Sequence, residues 1–203
     1  MHHGAGGNSW KEDAEDAETT NGMAANRVNA PQPTMTASHI TVRSAGPSDA
    51  GALARLRYDF RAAIDAPAEP VESFLERCTA WLEARLASDE RWRCWVAERD
   101  GLPIGMVWLQ VIEKIPNPVN EPEWHGYLSS LYVVPESRGA GLGSRLLITA
   151  LRECELRRVD AVILWPTEHS RSLYERHGFA RGPDLLELRP VCSSQDEAAA
   201  RQA

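Results

Sequence analysis

The spacing of apolar residues predicts an ordered chain from His39 onward. Ile40 to Arg43 alternates and is β-branched, which predicts a first strand. Pro47-Ser48-Asp49 then opens a helix whose buried face carries Leu53, Leu56 and Phe60 at helical spacing. The same spacing continues from Val71 to Ala87 and predicts a second helix.

Two β-prone segments then predict an antiparallel hairpin. Trp92 to Glu98 and Pro103 to Ile112 flank Arg99-Asp100-Gly101, and an Asp-Gly pair supports a tight turn between strands. Glu113 to His125 contains three prolines, so this segment is predicted to be a loop.

The next segments predict a β-α-β unit with a helix after it. Gly126 to Val134 and Ala161 to Trp165 read as strands on either side of a helix from Leu142 to Arg158. Such a crossover joins parallel strands and is right-handed. Ser170 to His177 predicts a short helix, with Gly178 in the left-handed position that ends it.

Phe179 and Leu185 to Leu188 predict a last strand or strand pair. The element order is therefore one strand, two helices, a hairpin and then β-α-β-α-β. We expect an α/β fold, with helices packed around one mixed central sheet.

Composition and charge place this domain between two tails. Residues 1–38 are rich in Gly, Ala, Asn and acids, so we expect a disordered N-terminal tail; residues 39–190 form the domain, and 191–203 a disordered C-terminal tail. The net charge is -7, of which the tails carry -3 and -1, leaving -3 for the domain. This acidic balance disfavours a nucleic-acid partner.

The four cysteines do not form a metal-binding pattern. Cys78, Cys94, Cys154 and Cys192 are widely spaced, and we expect no metal site and reduced thiols. No apolar run is long enough to span a membrane, and the N-terminus lacks an export signal. The sequence therefore predicts a cytoplasmic protein without a membrane partner.

A glycine-rich segment between the Gly126–Val134 strand and the following helix predicts an anion site. Gly139, Gly141 and Gly143 alternate where the helix begins. The first turn of a helix has N–H groups without internal partners, and glycines let a phosphate approach them closely. Three alternatives compete: a nucleotide-binding Walker loop, although its lysine is missing; a dinucleotide-binding turn, although its spacing differs; and a tight turn without a ligand.

Two motifs together resemble the GCN5-related N-acetyltransferase family. Arg138-x-x-Gly141-x-Gly143, preceded by a strand and Val-x-Pro, is similar to the acyl-CoA-binding motif of that family. The segment from Leu173 to Phe179 resembles its second signature, a tyrosine on a short helix followed by Gly-Phe. The similarity is clear over residues 126–180 and extends by element order from 40 to 190.

The resemblance implies a family-type mixed sheet, mostly antiparallel with one splayed parallel strand pair, and acetyl-CoA as co-substrate. The thioester would lie where the parallel strands separate, and main-chain N–H groups would hold the pyrophosphate. The implied cofactor-binding residues are Leu131, Tyr132, Val133, Arg138, Gly139, Ala140, Gly141, Leu142, Gly143 and Ser144. Thr167 stands where many members have an asparagine, so Thr167 and Ser170 are the weaker candidates.

The resemblance also implies the chemistry of acetyl transfer to an amine. Tyr174 would protonate the CoA thiolate, and the N–H of Val133 would polarise the thioester carbonyl. The base is left open among Glu113, Glu121, Glu123, His125 and a water relay, because an imidazole has an unperturbed pKa near neutral pH and a glutamate can act through water. Glu113 and Glu121 lie in the same segment, and Ser129 and Ser130 are candidates to face the amine.

By the same resemblance, two segments would form the acceptor pocket, residues 57–69 and 114–124. Their candidate contacts for a cationic amine are Tyr58, Phe60, Trp108 and Trp124 as aromatics, and Asp59, Asp65, Glu69 and Glu121 as carboxylates. We therefore expect an acetyl-CoA-dependent N-acetyltransferase acting on a small molecule or peptide. A non-catalytic acyl-CoA-binding module of the same fold and a nucleotide-binding protein of another fold are the alternatives, and a homodimer is compatible with the family.

Overall fold

The computed structural model describes residues 39–182 and 185–188, which belong to the unit Ser38–Ala203. The two predicted disordered tails, 1–38 and 191–203, lie outside the described residues, as do residues 183–184 and 189–190. No helix in the described part is long and apolar enough to cross a membrane.

Five strands form one mixed sheet in the order β1-β2-β3-β4-β5. All neighbouring strands are antiparallel except β4 and β5, which are parallel. The strands are β1 Ile40–Ser44, β2 Trp92–Arg99, β3 Leu102–Glu113, β4 Trp124–Val133 and β5 Ala161–Ile163. The predicted fold class, a mixed sheet that is mostly antiparallel with one parallel pair, is confirmed.

Helices cover both faces of this sheet. The helices are α1 Ala50–Ala62, α2 Val71–Ser88, α3 Leu142–Leu156 and α4 Arg171–Arg176, and short 3-10 turns Pro47–Asp49, Pro135–Ser137 and Glu168–Ser170 precede three of them. Residues of α1 and α2 pack with one face of the sheet, while residues of α3 and α4 pack with the other.

The alternation of β3 side chains builds both halves of the core. Met106 and Trp108 pack with α1, and Val107 and Leu109 pack with α3, because successive side chains of a strand point to opposite faces. All four are buried. Burying a side chain of this size is worth roughly 1.5–3 kcal/mol, so β3 holds the two helical layers together.

A bulge divides β4 into a first half that pairs with β5 and a second half that does not. The β3–β4 register passes from Trp108 opposite Ser129 to Met106 opposite Tyr132, so β4 has one extra residue there. Ser130 has a φ of 52°, a left-handed conformation that bends the strand. β4 pairs with β5 only as far as Tyr127, so the rest of β4 is unpaired on that side. We call the space beside this unpaired part the gap.

Two predicted turns are confirmed by their backbone angles. Asp100 and Gly101 have φ of 51° and 82°, as a tight hairpin turn between strands of right-handed twist requires. Gly178 has a φ of 86° directly after α4, which is the left-handed helix end expected from the sequence.

Three predicted boundaries are wrong. Neither Phe179 nor Leu185 to Leu188 forms a strand. The three leucines are 61% (Leu185) to 93% (Leu186) exposed. The sequence has prolines at 183 and 190, and a proline has no N–H group to donate to a neighbouring strand. β5 ends at Ile163 instead of Trp165, because the strand pair separates there. The proline-rich loop is shorter than predicted, since Glu113 and Trp124 pair as the last residues of β3 and the first of β4.

Candidate active site and cofactor cleft

The start of α3 is shaped by glycines in a conformation that other residues adopt only with strain. Gly139 and Gly141 have φ of 81° and 74°, in the left-handed region. No atom would lie within 4 Å of a Cβ added at either position, so the requirement for glycine comes from the backbone angle. Gly141 is the residue before the first turn of α3, which begins at Leu142.

This turn presents a row of unpaired main-chain donors. From Gly139 to Ser144, no N–H group donates to an acceptor among residues 39–182 and 185–188; the first bond into the helix runs from the Arg145 N–H to the Gly141 carbonyl at 3.1 Å. Unpaired amides at a helix start form an anion site, and the helix dipole adds to their attraction. The geometry fits a diphosphate.

A cavity of about 690 Å³, here called the cofactor cleft, lies in front of this turn. It is bounded by the turn, by the unpaired end of β4 and by the segment around α4. The predicted cofactor residues that line it are Leu131, Tyr132, Val133, Arg138, Gly139, Gly141, Leu142, Gly143, Ser144, Thr167 and Ser170. Ala140 is the one predicted member that does not line it.

Further lining residues escaped the sequence argument. These are Ala63, Ile64, Ser137, His169, Leu173 and Arg176; Phe60, predicted as an acceptor contact, also lines this cleft. The most informative is Ser137, which is 2% exposed and whose Oγ has no hydrogen-bond partner in the described part of the chain. A buried hydroxyl without a partner costs free energy, and a rotation of this side chain toward the cleft would give it a ligand as partner. Ile64 lies four residues after Phe60, just past the end of α1, a spacing that could have identified it.

Arg138 connects the strand to the turn. Its Nε donates to the Val133 carbonyl at 2.9 Å, and its guanidinium lies 5.7 Å from the centroid of the Tyr132 ring. On the other wall, the Thr167 hydroxyl donates to Ser170 Oγ at 2.9 Å, and the Ser170 hydroxyl is 3.1 Å from the Thr167 carbonyl. The two weaker candidates therefore bind each other and form the base of α4.

Tyr174 lies on α4, next to Leu173 of the cofactor cleft. Its ring packs edge-on against Phe179 with 5.6 Å between centroids, and it belongs to the same apolar cluster as Leu131 and Val133. Its hydroxyl makes no hydrogen bond to any described residue. Burial raises the pKa of Tyr174 to about 12, so the phenol is protonated at neutral pH. Tyr174 lines a second cavity of about 800 Å³ on the β5 side, and not the cofactor cleft itself.

The predicted bases are not brought to the cofactor cleft. His125 pairs with Ala161 at the beginning of β5, six residues before Leu131, which corresponds to about 20 Å along a strand. The Nδ1 of His125 is buried without a hydrogen bond and lies 4.0 Å from Asp160. Glu123 lies two residues further away, and its carbonyl accepts from the Lys114 N–H at 2.7 Å.

Charges near these candidates already neutralise one another. Lys114 Nζ lies 2.9 Å from Asp160 and 3.1 Å from Glu121, and the Lys114 ammonium lowers the pKa of both carboxyls. Asn117 also donates to Glu121 at 2.6 Å. Glu121 is therefore engaged in the loop and is not an unpaired acid for a cationic amine.

The predicted acceptor residues divide between a small cavity and the core. Tyr58, Asp65 and Glu69 line a cavity of about 290 Å³ between α1 and α2, here called the acceptor cavity. Glu69 forms an ion pair with Arg77 at its edge. Trp108 was expected in the pocket but is 5% exposed in the core, where its ring centroid lies 6.2 Å from that of Trp92.

Fold and cleft together define a class of protein: an α/β protein with the geometry of an anion site at a helix start beside two separating strands. The sequence profile of the Acetyltransferase (GNAT) family matches residues 59–179, more than half of the 203 residues. The chain belongs to this acetyltransferase family, and acetyl-CoA is the co-substrate of its members.

Individual relatives agree with this assignment. A mycothiol acetyltransferase of Frankia alni is 31% identical over 96 residues, which cover 46% of this chain and 27% of that protein. The chain thus spans less than a third of that curated relative. A GCN5-related N-acetyltransferase of Ralstonia eutropha is 29% identical with a TM-score of 0.62, covering 74% of this chain and 99% of the other. An acetyltransferase of Clostridium acetobutylicum solved with acetyl-CoA shares the fold at 24% identity and a TM-score of 0.61, covering 74% and 96%.

Proposed function

We propose that the chain transfers the acetyl group of acetyl-CoA to a primary amine of a small molecule or peptide. The observation that carries this proposal is the row of unpaired N–H groups from Gly139 to Ser144 in front of the cofactor cleft. A pyrophosphate bound there would direct the pantetheine arm along Leu131 and Val133, toward the gap.

In the proposed reaction, the neutral amine attacks the thioester carbonyl carbon directly. A C–N bond forms, the C–S bond breaks, and the CoA thiolate takes the phenolic proton of Tyr174. The pKa of about 12 keeps that proton on the phenol until the thiolate forms, and the role requires the sulfur to lie in the gap, near the cluster of Leu131 and Val133. The amine nitrogen loses a proton to water, directly or through a water chain toward His125 or Glu123, and the Tyr174 phenolate regains a proton from water.

The N–H of Val133 is proposed to polarise the thioester carbonyl. β4 has no partner strand on the gap side at this point, since its pairing with β5 ends at Tyr127. A donor that is fixed before the reaction stabilises charge as it develops on the carbonyl oxygen, without reorganising in the transition state.

The test is transfer by the full-length protein from acetyl-CoA to a panel of amino acids, peptides, aminoglycosides, polyamines and an amine precursor of mycothiol. The last is included because two partial relatives are named as mycothiol acetyltransferases. Acetylated product and free CoA, both measured by mass spectrometry, should appear together. Tight acetyl-CoA binding without product from any amine would instead favour a non-catalytic acyl-CoA-binding module.

A further inference from the structure

Arg57 is a half-buried cation beside β4, and it has no carboxylate partner among the described residues. It lies on α1, and its Nη1 donates to Ser130 Oγ on β4 at 2.9 Å. Its Cζ lies 5.8 Å from the centroid of the Phe60 ring. Within residues 39–182 and 185–188, no carboxylate oxygen comes within 4.0 Å of its guanidinium. The polar contacts of the Arg57 guanidinium are thus the hydroxyl of Ser130 and the aromatic ring of Phe60.

Five other arginines of the described chain have the carboxylate partner that Arg57 lacks. Those that pair with carboxylates are Arg43, Arg77, Arg91, Arg93 and Arg157. Burial, more than the nearby charge of Arg61, lowers the pKa of Arg57. Removing a cation from water without an anion is costly, and a bound anion would offset that cost.

The donors around Arg57 suit an oxyanion. A guanidinium has five N–H donors in a planar fork, and the structure uses one of them on Ser130. Because Ser130 Oγ accepts that bond, its own hydroxyl hydrogen is free to donate to the same ligand. A fork with an adjacent hydroxyl matches the oxygens of a carboxylate or a phosphate.

The position of this pair ties it to the acceptor and not to CoA. Arg57 lines the acceptor cavity and is absent from the cofactor cleft, whereas Leu131, the residue after Ser130, lines the cleft. Ser130 and Val133 are three residues apart on β4, about 10 Å along the strand. An anion on Arg57 would therefore lie within about 10 Å of an amine that attacks the thioester.

We propose that the acceptor amine carries an anionic group, a carboxylate or a phosphate, which Arg57 and Ser130 bind close to the reacting nitrogen. This inference rests on the proposed function and adds the substrate class. Arg57 is thus a specificity residue, and the acceptors it favours are amino acids or amines bearing phosphate, rather than neutral amines or polyamines.

The test uses matched acceptors that differ in the anion alone: phenylalanine against phenylalaninamide, and glucosamine-6-phosphate against glucosamine. The full-length wild-type protein should show kcat/KM at least tenfold higher for the anionic member of one pair, and the pair that responds distinguishes carboxylate from phosphate. Arg57→Gln should lose about 10- to 100-fold on that anionic acceptor, the cost of a hydrogen bond to a charged group, and less than threefold on the neutral one.

Two further variants separate specificity from folding. Arg57→Lys keeps the charge without the fork, and should retain part of the preference if Arg57→Gln does not fold. Arg55→Gln changes an exposed arginine on the same helix and should leave the ratio of the pair unchanged. A purely structural role for Arg57 would lower kcat/KM for both members equally, and that result would overturn the inference.

Calorimetry with CoA-saturated protein tests binding of the same four compounds without turnover. Binding that needs both the anion and Arg57, with no transfer, would retain the anion site and refute the proposed function. Transfer to both members alike, unaffected by Arg57→Gln, would retain the proposed function and overturn the anion site. Neither transfer nor binding with any of the four would overturn the anion site, and the wider amine panel would then decide the proposed function.

Discussion

Ser137→Ala should make the free protein more stable and its complex with acetyl-CoA weaker. Ser137 is buried at the edge of the cofactor cleft, and its Oγ has no partner within the described residues. Removing an unsatisfied buried hydroxyl recovers part of a penalty of about 1–3 kcal/mol. A gain of about 1 kcal/mol corresponds to a rise in Tm of about 2–4 °C for a chain of this size.

The affinity of the Ser137→Ala protein for acetyl-CoA should fall, although its stability rises. If the Ser137 hydroxyl donates to a phosphate of CoA, alanine removes a hydrogen bond to a charged group, worth about 1.5–3 kcal/mol. That loss corresponds to about 10- to 100-fold in Kd. Differential scanning calorimetry of the free protein gives the first quantity, and isothermal titration with acetyl-CoA gives the second.

Ser88→Ala is the matched control for this pair of measurements. Its hydroxyl lies 3.2 Å from the Ala84 carbonyl at the end of α2, away from the cleft, so acetyl-CoA affinity should not change. A Ser137→Ala protein that is less stable when free and binds acetyl-CoA like the wild type would refute the reasoning, since the hydroxyl would then serve the fold and not the ligand.

Three other predictions concern catalysis and pH. Tyr174→Phe should lower kcat by about 10²- to 10⁴-fold with acetyl-CoA Kd and Tm almost unchanged, because the hydroxyl makes no hydrogen bond to described residues; wild-type kcat in this variant would remove Tyr174 as the acid. His125→Gln should change kcat/KM less than threefold, since this residue lies about 20 Å along β4 from Leu131; a loss above a hundredfold would restore it as a base. Burial raises the pKa of Cys154 from 9.0 to about 11 and of Tyr174 from 10.0 to about 12, so the folded state holds both protons more tightly. The stabilisation from these two protonated groups is complete below pH 9 and is lost as the pH rises to 12. Chemical denaturation across this range should show the free energy of unfolding falling, and falling less steeply above pH 10 in Tyr174→Phe. A free energy of unfolding that does not change with pH would contradict the raised pKa values.

The features that were predicted from the sequence are those set by local backbone chemistry. The Asp100-Gly101 turn, Gly178 after α4 and the glycines before α3 each need a left-handed backbone, which few residues adopt without strain. Regular apolar spacing likewise predicted α2 and α3 to within a few residues.

The features that were missed depend on partners distant in sequence. Leu185 to Leu188 has the composition of a strand, but a strand also needs a neighbour that pairs with it. The proline-rich loop suggested acids near the substrate, yet Lys114 binds Glu121 and Asp160 there. Arg57 binds Ser130 at the bulge of β4, a contact between residues 73 positions apart that no local pattern predicts.

Hydrogen exchange with and without acetyl-CoA tests the central claim most directly, that main-chain amides at the start of α3 bind the diphosphate. Amides from Gly139 to Ser144 have no acceptor in the described structure, so they should exchange quickly in the free protein and slowly in the complex. Protection should extend to Leu131 and Val133. Protection confined to residues 171–182, beside the second cavity, with the glycine turn unchanged, would contradict the account.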